Sequence, residues 1–307
     1  MSQPTLQQLR YAVAVADERN FGRAAQACFV SQPALSAQMR ELEAKLHVQL
    51  FERTSRGVLV TAAGAEVVER ARRILREVDD LCEAAQAADG DLAGSLRFGV
   101  IPTVAPYVLP GVVRRLAEAH PWLELYLRED RTDALVAQLL AGELDLLLLA
   151  LPLDRVGVDE LPLYDEPFLL AMPDTHALTK RKRCDVASIA GERLVLLDDG
   201  HCLRDQALAV CARAGAGGNA EVQGTSLPTV AQMVGAGMGV TLLPLSTVSR
   251  DAAPVQRVAV RELHPAPTRT VGLAWRTSSA RAGAYRRLAE VVRAAGEESM
   301  RGSFDPA

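Results

Sequence analysis

Apolar residues in the first sixty positions recur at helical spacing in three successive segments. They predict three helices and a following β-hairpin, over residues 6–20, 21–29, 31–46 and 49–61. Ser31 is a good N-cap, and Pro33 falls in the first turn of its helix, where a missing N–H costs little. Two short helices joined by a tight turn and followed by a hairpin are typical of a winged helix-turn-helix.

The next segment, from Ala62 to about Ala88, repeats apolar residues at alternating intervals of four and three. The repeating positions are Val67, Ala71, Ile74, Val78, Leu81 and Ala85. Such a heptad seam predicts a linker helix that pairs with a second subunit. Because the seam is short and rich in alanine, a helix packed on its own domain remains the alternative.

The rest of the chain alternates between strand and helix patterns after a small-residue linker over 88–94. Strands are predicted over 95–101, 123–129, 144–151, 167–173, 193–199, 239–245 and 270–276, and helices over 106–120, 131–143 and 279–296. This alternation predicts an α/β domain with a mainly parallel sheet. Two crossings, near Leu163 and Thr268, would divide it into two lobes. The tail over 301–307 is expected to be disordered.

The predicted organisation is therefore a mainly α winged helix-turn-helix, a linker helix and a two-lobed α/β regulatory domain. We place these domains at residues 1–61, 62–90 and 91–307, with lobe I over about 91–163 and 269–300 and lobe II over about 164–268.

A DNA-binding surface is predicted on the second helix, the third helix and the hairpin. Gln and Arg side chains reach base edges bidentately, and arginines on a wing suit phosphates or the minor groove. The candidates are Phe21, Arg23, Ser31, Gln32, Pro33, Ser36, Gln38, Arg40, Arg53 and Arg56. The net charge of −4 gives no general basic bias, so a small helical domain with solvated polar residues remains the alternative.

The composition of the chain argues against a secreted protein, a membrane protein and a metal-binding protein. The start of the chain lacks the pattern of a signal peptide, and no apolar run approaches the roughly 20 residues of a membrane span. We therefore expect a cytoplasmic protein without membrane contact. Five scattered cysteines and five scattered histidines predict neither a disulfide framework nor a metal or cofactor site. In a reducing cytosol, a disulfide would be catalytic or redox-sensing.

Two cysteines, Cys202 and Cys211, lie nine residues apart in a segment that predicts a helix. Nine residues span roughly 13 Å along a helix axis, whereas a disulfide needs Cα atoms closer than about 7 Å. Either the two thiols do not interact, or bonding them breaks the helix.

Several groups near Cys202 in the sequence act on the reactivity of its thiol, in opposite directions. The residue falls at or near a helix N-terminus, where the helix dipole stabilises a thiolate, and His201 and Arg204 can add positive charge or hydrogen bonds. Asp205 and its neighbouring carboxylates act in the opposite direction, so the net effect stays open. Cys211 has apolar neighbours, and Cys184, with four basic residues before it, is expected to be an exposed thiol.

Three hydroxyl-bearing positions follow predicted strands, where α/β folds bind ligands: Thr103, Thr132 and Thr225. For each position taken singly, a helix cap without a ligand is the alternative and the simpler interpretation.

Longer motifs resemble one protein family. The segment FGRAAQACFVSQPALSAQMRELEAKLHVQLFERTSRGVLVTAAG resembles the N-terminal signature of LysR-type transcriptional regulators. The segments GVIPTVAPYVLP, RLVLLDDGHCLRDQALAVC and TSLPTVAQMVGAGMGVTLLP resemble the hydrogen-peroxide-sensing branch of that family. The family has a two-lobed effector domain similar to periplasmic binding proteins, which agrees with the predicted lobes.

The resemblance assigns roles to individual residues. It implies that Cys202 is the peroxidatic cysteine and Cys211 its resolving partner in a reversible disulfide. It also implies that Thr103 and Thr132 hold peroxide beside the thiol, while His201 and Arg204 support the thiolate. Asp205 and Thr225 complete our set of candidates.

The function expected from this resemblance is control of antioxidant genes by a peroxide-switched regulator that is not an enzyme. Its expected partners are double-stranded promoter DNA, RNA polymerase, further copies of itself in a dimer of dimers, and glutaredoxin or thioredoxin as reductant. Two alternatives remain: a LysR-type regulator that binds a small metabolite while its cysteines are passive, and a thiol peroxidase enzyme.

Overall fold

The structure is a computed structural model that describes residues 3–54, 57–86, 94–213, 222–248 and 257–301. The chain divides into two compact units, Met1–Ala88 and Asp89–Ala307. None of the helices in the described ranges is long and apolar enough to cross a membrane.

The first unit contains helices, a hairpin and a long final helix. Its elements are α1 (Leu6–Glu18), α2 (Phe21–Ala27), α3 (Gln32–Leu46), β1 (Phe51–Thr54), β2 (Gly57–Val60) and α4 (Ala62–Gln86). The strands β1 and β2 pair antiparallel, so the predicted winged helix-turn-helix is confirmed. The core lies where α1, α2 and α3 meet, and Val15, Ala24, Leu35 and Leu42 are fully buried in it.

Helix ends differ from the sequence prediction for local reasons. Helix α1 ends at Glu18, because Arg19 adopts a left-handed conformation and the Asn20 side chain caps α2. Helix α2 ends at Ala27, because Phe29 has a φ of 56° and turns the chain toward α3. The Ser31 side chain caps α3, as predicted, by accepting a hydrogen bond from Ala34 N at 3.4 Å.

Helix α4 uses its apolar seam in two ways. Val68, beside the seam, and Ala71, within it, are buried in the core of the first unit, where α4 packs on α1. Ile74 is 46% exposed and Leu81 is 68% exposed. The end of the predicted seam, at Ala85, lies outside the described side chains. Pairing of this helix with a second subunit stays a prediction.

The second unit is α/β. Its strands are β3 (Gly94–Val100), β4 (Leu123–Glu129), β5 (Leu146–Leu151), β6 (Val158–Pro173), β7 (Arg183–Asp185), β8 (Val195–Leu197), β9 (Val222–Gly224), β10 (Thr241–Pro244), β11 (Val258–His264) and β12 (Thr268–Arg276). Its helices are α5 (Ala105–Ala119), α6 (Thr132–Leu140), α7 (Cys202–Arg213), α8 (Leu227–Gly235) and α9 (Ala282–Met300), with 3-10 turns at Ala177–Lys180, Val186–Ile189 and Leu245–Val248.

Eight of these strands form one sheet in the order β4-β3-β5-β12-β6-β11-β7, and β10 also pairs with β6. The prediction of a mainly parallel sheet is wrong for its centre. Strand β3 is parallel to β4 and β5, but β12, β10 and β11 all run antiparallel to β6. The long β6 serves both lobes, and its first half and β11 carry mixed charged and apolar residues that did not predict strands.

Two separate hydrophobic cores fill the second unit, as expected for two lobes. The first lies among β3, β5, β12, α5 and α9, and the second among β8, β10, α7 and α8. We call the part of the unit built around the first core lobe I and the part built around the second core lobe II. Strand β6 contributes Tyr164 to the first core and Phe168 to the second. Of the predicted linker over 88–94, residues 88–93 lie outside the described residues and Gly94 begins β3. Of the predicted tail over 301–307, residues 302–307 lie outside the described residues.

Candidate functional site

The candidate site begins where β8 ends and α7 starts. Cys202 is the first residue of α7, close to its predicted position. The chain reaches it through a turn in which Gly200 has a φ of 88°, a conformation that favours glycine. Backbone hydrogen bonds fix this turn from both sides, because Asp198 N donates to Gly224 O and Arg204 N donates to His201 O.

The two cysteines of α7 pack in different cores. Cys202 is half-buried against the core of lobe I. Cys211 is 1% exposed inside the core of lobe II, together with Leu203 and Ala207 of the same helix. Both thiols are free. The intact helix holds them roughly 13 Å apart along its axis, so a disulfide between them requires the helix to break.

The environment of the Cys202 thiol favours its protonated form. Burial raises its pKa, and this effect outweighs the groups that lower it. Arg269 lowers the pKa by its positive charge, the Leu203 backbone N–H lowers it as a hydrogen-bond donor, and the nearby Thr132 hydroxyl lowers it through a looser contact. Asp205 raises it slightly. The largest electrostatic support for the thiolate therefore comes from Arg269 in β12.

Arg269 belongs to a buried ionic network. Its side chain is fully buried, and it donates to Glu166 Oε2 from Nη2 at 2.7 Å and from Nε at 2.9 Å. It also donates from Nη1 to Thr103 Oγ1 at 2.8 Å and from Nη2 to Thr103 O at 3.1 Å. Ser246 N donates to the other Glu166 oxygen at 2.9 Å. The network thus joins Thr103 of lobe I to Ser246 of lobe II and fixes the guanidinium near Cys202.

A cavity of about 350 Å³ lies beside Cys202. Residues of both lobes line it: Thr132, Asp133, Val136, Ala150, Leu151, Pro152, Leu153, Arg155, Cys202, Asp205 and Gln206. Thr132 Oγ1 and Gln206 Oε1 are buried atoms without a hydrogen-bond partner in the part of the chain that the structure describes. The effect of Thr132 on Cys202 is therefore a contact looser than a normal hydrogen bond. A small polar ligand could satisfy both oxygens.

Other predicted site residues lie near Cys202 with different contacts. His201 is buried, and burial followed by the charge of Arg131 lowers the pKa of its imidazole, which is neutral at neutral pH. Arg204 donates to Leu197 O at 3.2 Å and contacts Asp199 Oδ1 at 3.0 Å, so it holds the turn before Cys202. Support of the thiolate by His201 and Arg204 stays a prediction.

Thr225 and Cys184 are the remaining positions that the sequence analysis discussed for this unit. Thr225 is exposed between β9 and α8, and its neighbour Ser226 caps α8. The expectation that Cys184 is exposed is wrong, because the residue is fully buried in the core of lobe II. It is the middle residue of the short strand β7, where side chains alternate between faces, and both of its neighbours are exposed.

Three residues of the site are not among those predicted from the sequence: Arg269, Glu166 and Gln206. A usable signal existed for Arg269, because it is a charged residue at the start of an otherwise apolar strand segment. Gln206 stands in the quoted motif RLVLLDDGHCLRDQALAVC, which is a signal for it, whereas Glu166 has no comparable signal.

The candidate DNA-binding residues divide by exposure. Arg23, Ser31, Gln32, Pro33 and Arg40 are exposed on α2, α3 and the turn between them. Phe21 and Ser36 are buried, and Phe21 packs edge-on against Phe51 at 6.3 Å between ring centroids. Gln38 is half-buried and accepts a hydrogen bond from Gln8. Arg53 lies in β1 with its side chain outside the described set, and Arg56 lies outside the described residues.

Comparisons with known proteins agree with both units. Residues 6–65 match the family described as "Bacterial regulatory helix-turn-helix protein, lysR family", and residues 89–297 match "LysR substrate binding domain". The chain is 45% identical over 300 residues to the DNA-binding transcriptional dual regulator OxyR of Escherichia coli K12, covering 98% of this chain and 97% of that protein.

Solved structures give the same result. A full-length OxyR variant from Pseudomonas aeruginosa, with aspartate in place of a cysteine, is 39% identical with a TM-score of 0.77, covering 95% of this chain and 96% of that chain. A hydrogen-peroxide-bound cysteine-to-serine mutant of Corynebacterium glutamicum OxyR is 36% identical with a TM-score of 0.69, covering 98% and 95%. The chain therefore belongs to the LysR family of helix-turn-helix transcriptional regulators.

Proposed function

We propose that this LysR-family regulator senses hydrogen peroxide through a reversible Cys202–Cys211 disulfide and controls antioxidant genes. The observation that carries the proposal is the placement of two free thiols at either end of α7 in two different cores. The OxyR relatives, one of which holds hydrogen peroxide, support the choice of signal.

The chemistry proceeds in two balanced steps. The Cys202 thiolate attacks one peroxide oxygen, the O–O bond breaks, and the departing hydroxide takes a proton to become water. The sulfur is then a sulfenic acid. Cys211 attacks that sulfur, the S–S bond forms, and the sulfenic oxygen leaves as a second water. Two thiols have been oxidised and one peroxide reduced.

The surrounding residues can assist the first step. Arg269 stabilises the thiolate that the reaction consumes. Thr132 and Gln206 line the cavity with buried oxygens that have no hydrogen-bond partner among the described residues, so peroxide can bind between them. Thr103 is held by Arg269. Its proposed contact with peroxide accordingly depends on that guanidinium.

The second step supplies the switch. Bringing Cys211 to Cys202 removes Leu203, Ala207 and Cys211 from helical packing in lobe II. The covalent bond then holds the rearranged segment, which makes α7 an element with two discrete states. A dithiol such as glutaredoxin or thioredoxin would reverse it by thiol–disulfide exchange.

The DNA-binding unit would read the operator with α3. Gln32 and Arg40 are exposed on this helix and suit base edges, while Arg23 suits a phosphate. The exposed Ile74 and Leu81 of α4 suit contact with a second subunit. We propose a dimer of dimers whose DNA-binding units change spacing upon oxidation and recruit RNA polymerase.

A second candidate function rests on the size of the cavity. Its volume of about 350 Å³ falls within the roughly 300–1,000 Å³ typical of small-molecule sites. A metabolite bound there, with passive cysteines, would also give a LysR-type regulator.

One experiment separates these functions. The full-length protein is treated with stoichiometric peroxide, its free thiols are trapped, and mass spectrometry identifies the linked cysteines. We expect a Cys202–Cys211 link, a changed operator footprint, and loss of both in Cys202→Ser. Cys28→Ser is the matched control, because Cys28 is a half-buried cysteine of the other unit. Normal switching of Cys202→Ser would refute the peroxide function. Steady peroxide turnover with a reductant would instead indicate a peroxidase.

A further inference from the structure

Arg131 connects lobe I to the turn that precedes Cys202. It stands at the N-cap position of α6, directly before Thr132. Its Nη1 donates a hydrogen bond to the main-chain oxygen of Asp199 at 2.9 Å. A residue of lobe I thus holds the backbone of lobe II three positions before the reactive cysteine.

The arginine also packs closely against the neighbouring glycine. A Cβ built on Gly200 would approach both Cδ and Nη1 of Arg131 at 3.3 Å. The left-handed φ of Gly200 and the contact with Arg131 therefore constrain the same turn. Arg131 N in turn donates to Asp130 Oδ1 at 2.9 Å, which fixes the start of the arginine side chain.

A second arginine holds this turn from within its own lobe. Arg204 binds Leu197 O and the Asp199 carboxylate, as described above. Because Arg204 lies in the first turn of α7, it can move together with that turn when the helix unwinds. Arg131 belongs to the other lobe, so its bond to Asp199 opposes any movement of the turn away from α6.

We propose that Arg131 is a positioning residue that latches the turn before Cys202 in its reduced position and thereby sets the potential at which the disulfide forms. This inference rests on the proposed disulfide switch. Attack of Cys202 on peroxide leaves the latch closed. Condensation of the sulfenic acid with Cys211, which releases water, moves the first turn of α7 and opens it.

The latch has a spectroscopic marker in His201. Burial lowers the pKa of this imidazole, Arg131 lowers it further, and Asp198 raises it. Loss of the Arg131 charge should therefore shift the titration of His201 to higher pH. The shift reports that the Arg131 guanidinium stands beside His201 in the folded protein, which the latch requires.

The test compares full-length wild type, Arg131→Gln and Arg131→Lys by redox titration against a dithiol buffer. We expect Arg131→Gln to favour the Cys202–Cys211 disulfide by about three- to tenfold in equilibrium constant, as for loss of one exposed charge-assisted hydrogen bond. The midpoint potential of the Cys202–Cys211 pair in this variant becomes more negative, and the disulfide forms faster after peroxide is added. Arg131→Lys, which can still donate to Asp199 O, should recover part of the wild-type value.

Two controls isolate the latch. Arg114→Gln removes an exposed guanidinium of α5 in lobe I, where it pairs with Glu298, and should leave the potential unchanged. In the Cys211→Ser background, the rate of sulfenic acid formation should be the same with and without Arg131. The latch is overturned by an unchanged potential in Arg131→Gln or by an equal shift in Arg114→Gln. If wild type forms no Cys202–Cys211 disulfide, the proposed function and the latch both fail.

Discussion

Cys202 and Cys211 share one helix but belong to two hydrophobic cores, Cys202 packing against that of lobe I and Cys211 lying inside that of lobe II. The helix therefore joins the lobes through the two side chains that oxidation would link. A disulfide between them cannot form as a local adjustment, because the intervening residues must give up both their helical hydrogen bonds and their packing.

Oxidation should therefore expose the backbone of α7. We expect amide hydrogen exchange between Gln206 and Val210 to accelerate strongly in the peroxide-treated protein, because these amides lose their helical partners. Helix α9, which packs in lobe I, serves as the internal reference and should keep its protection. Hydrogen exchange with mass spectrometry provides the measurement. Equal protection of α7 in both redox forms would contradict the switch.

Arg269→Met should destabilise the regulatory unit. The change leaves the Glu166 carboxylate buried without its partner, and breaking a buried ion pair costs about 3–5 kcal/mol. The free energy of unfolding from urea titration measures this loss. Arg114→Met is the matched control, since Arg114 forms an exposed pair with Glu298, and exposed pairs contribute at most about 1 kcal/mol. Similar unfolding midpoints for the two variants would show that the buried network contributes little.

Thr132→Val should slow the reaction of Cys202 with peroxide while preserving shape. The variant removes a hydroxyl that lowers the thiol pKa and that lines the cavity. We expect a decrease of about tenfold in the rate of sulfenic acid formation, the effect of about 1.4 kcal/mol. Thr225→Val is the control, because Thr225 is exposed outside that cavity. An equal decrease in both variants would remove Thr132 from the site.

The reaction of Cys202 should become faster well above neutral pH. Burial raises the pKa of its thiol above the ordinary value, and the thiolate is the reactive form. Alkylation of the Cys211→Ser variant should therefore keep accelerating as the pH rises through the ordinary thiol range. Because the folded state binds the proton of this thiol more tightly than the unfolded state does, the protonated thiol stabilises the folded state. That stabilisation is lost as the pH rises through the pKa of the thiol in the folded state. A rate plateau near neutral pH would contradict the assigned burial.

Arg40→Ala should weaken specific operator binding by about 1–3 kcal/mol if this arginine contacts a base edge. Arg70→Ala is the control of equal charge, because Arg70 is exposed on α4 and pairs with Glu66. Binding to operator and to unrelated DNA should be measured at one fixed salt concentration. A loss that is equal for both DNA sequences would assign Arg40 to phosphate contact instead.

The sequence was most informative where structure is local. The Ser31 cap, the first-turn Pro33 and the start of α7 at Cys202 follow from neighbouring residues, and the structure places them close to prediction. The buried network is not local. Glu166 and Arg269 are directly opposed across β6 and β12, 103 residues apart in the chain. A shift of one residue in that register would turn one side chain to the other face, and no short sequence pattern encodes it.

Strand β6 also limits how such a protein can be recombined. Residues 158–167 pair with β12 in lobe I, apart from Leu163 at a register shift, and the last six residues pair with β10 and β11 in lobe II, without an intervening loop. A chimaera that exchanges lobe II between relatives must therefore join two parents in the middle of a hydrogen-bonded strand. We expect that replacing individual side chains of the cavity beside Cys202 changes the signal specificity more readily than exchanging whole lobes does.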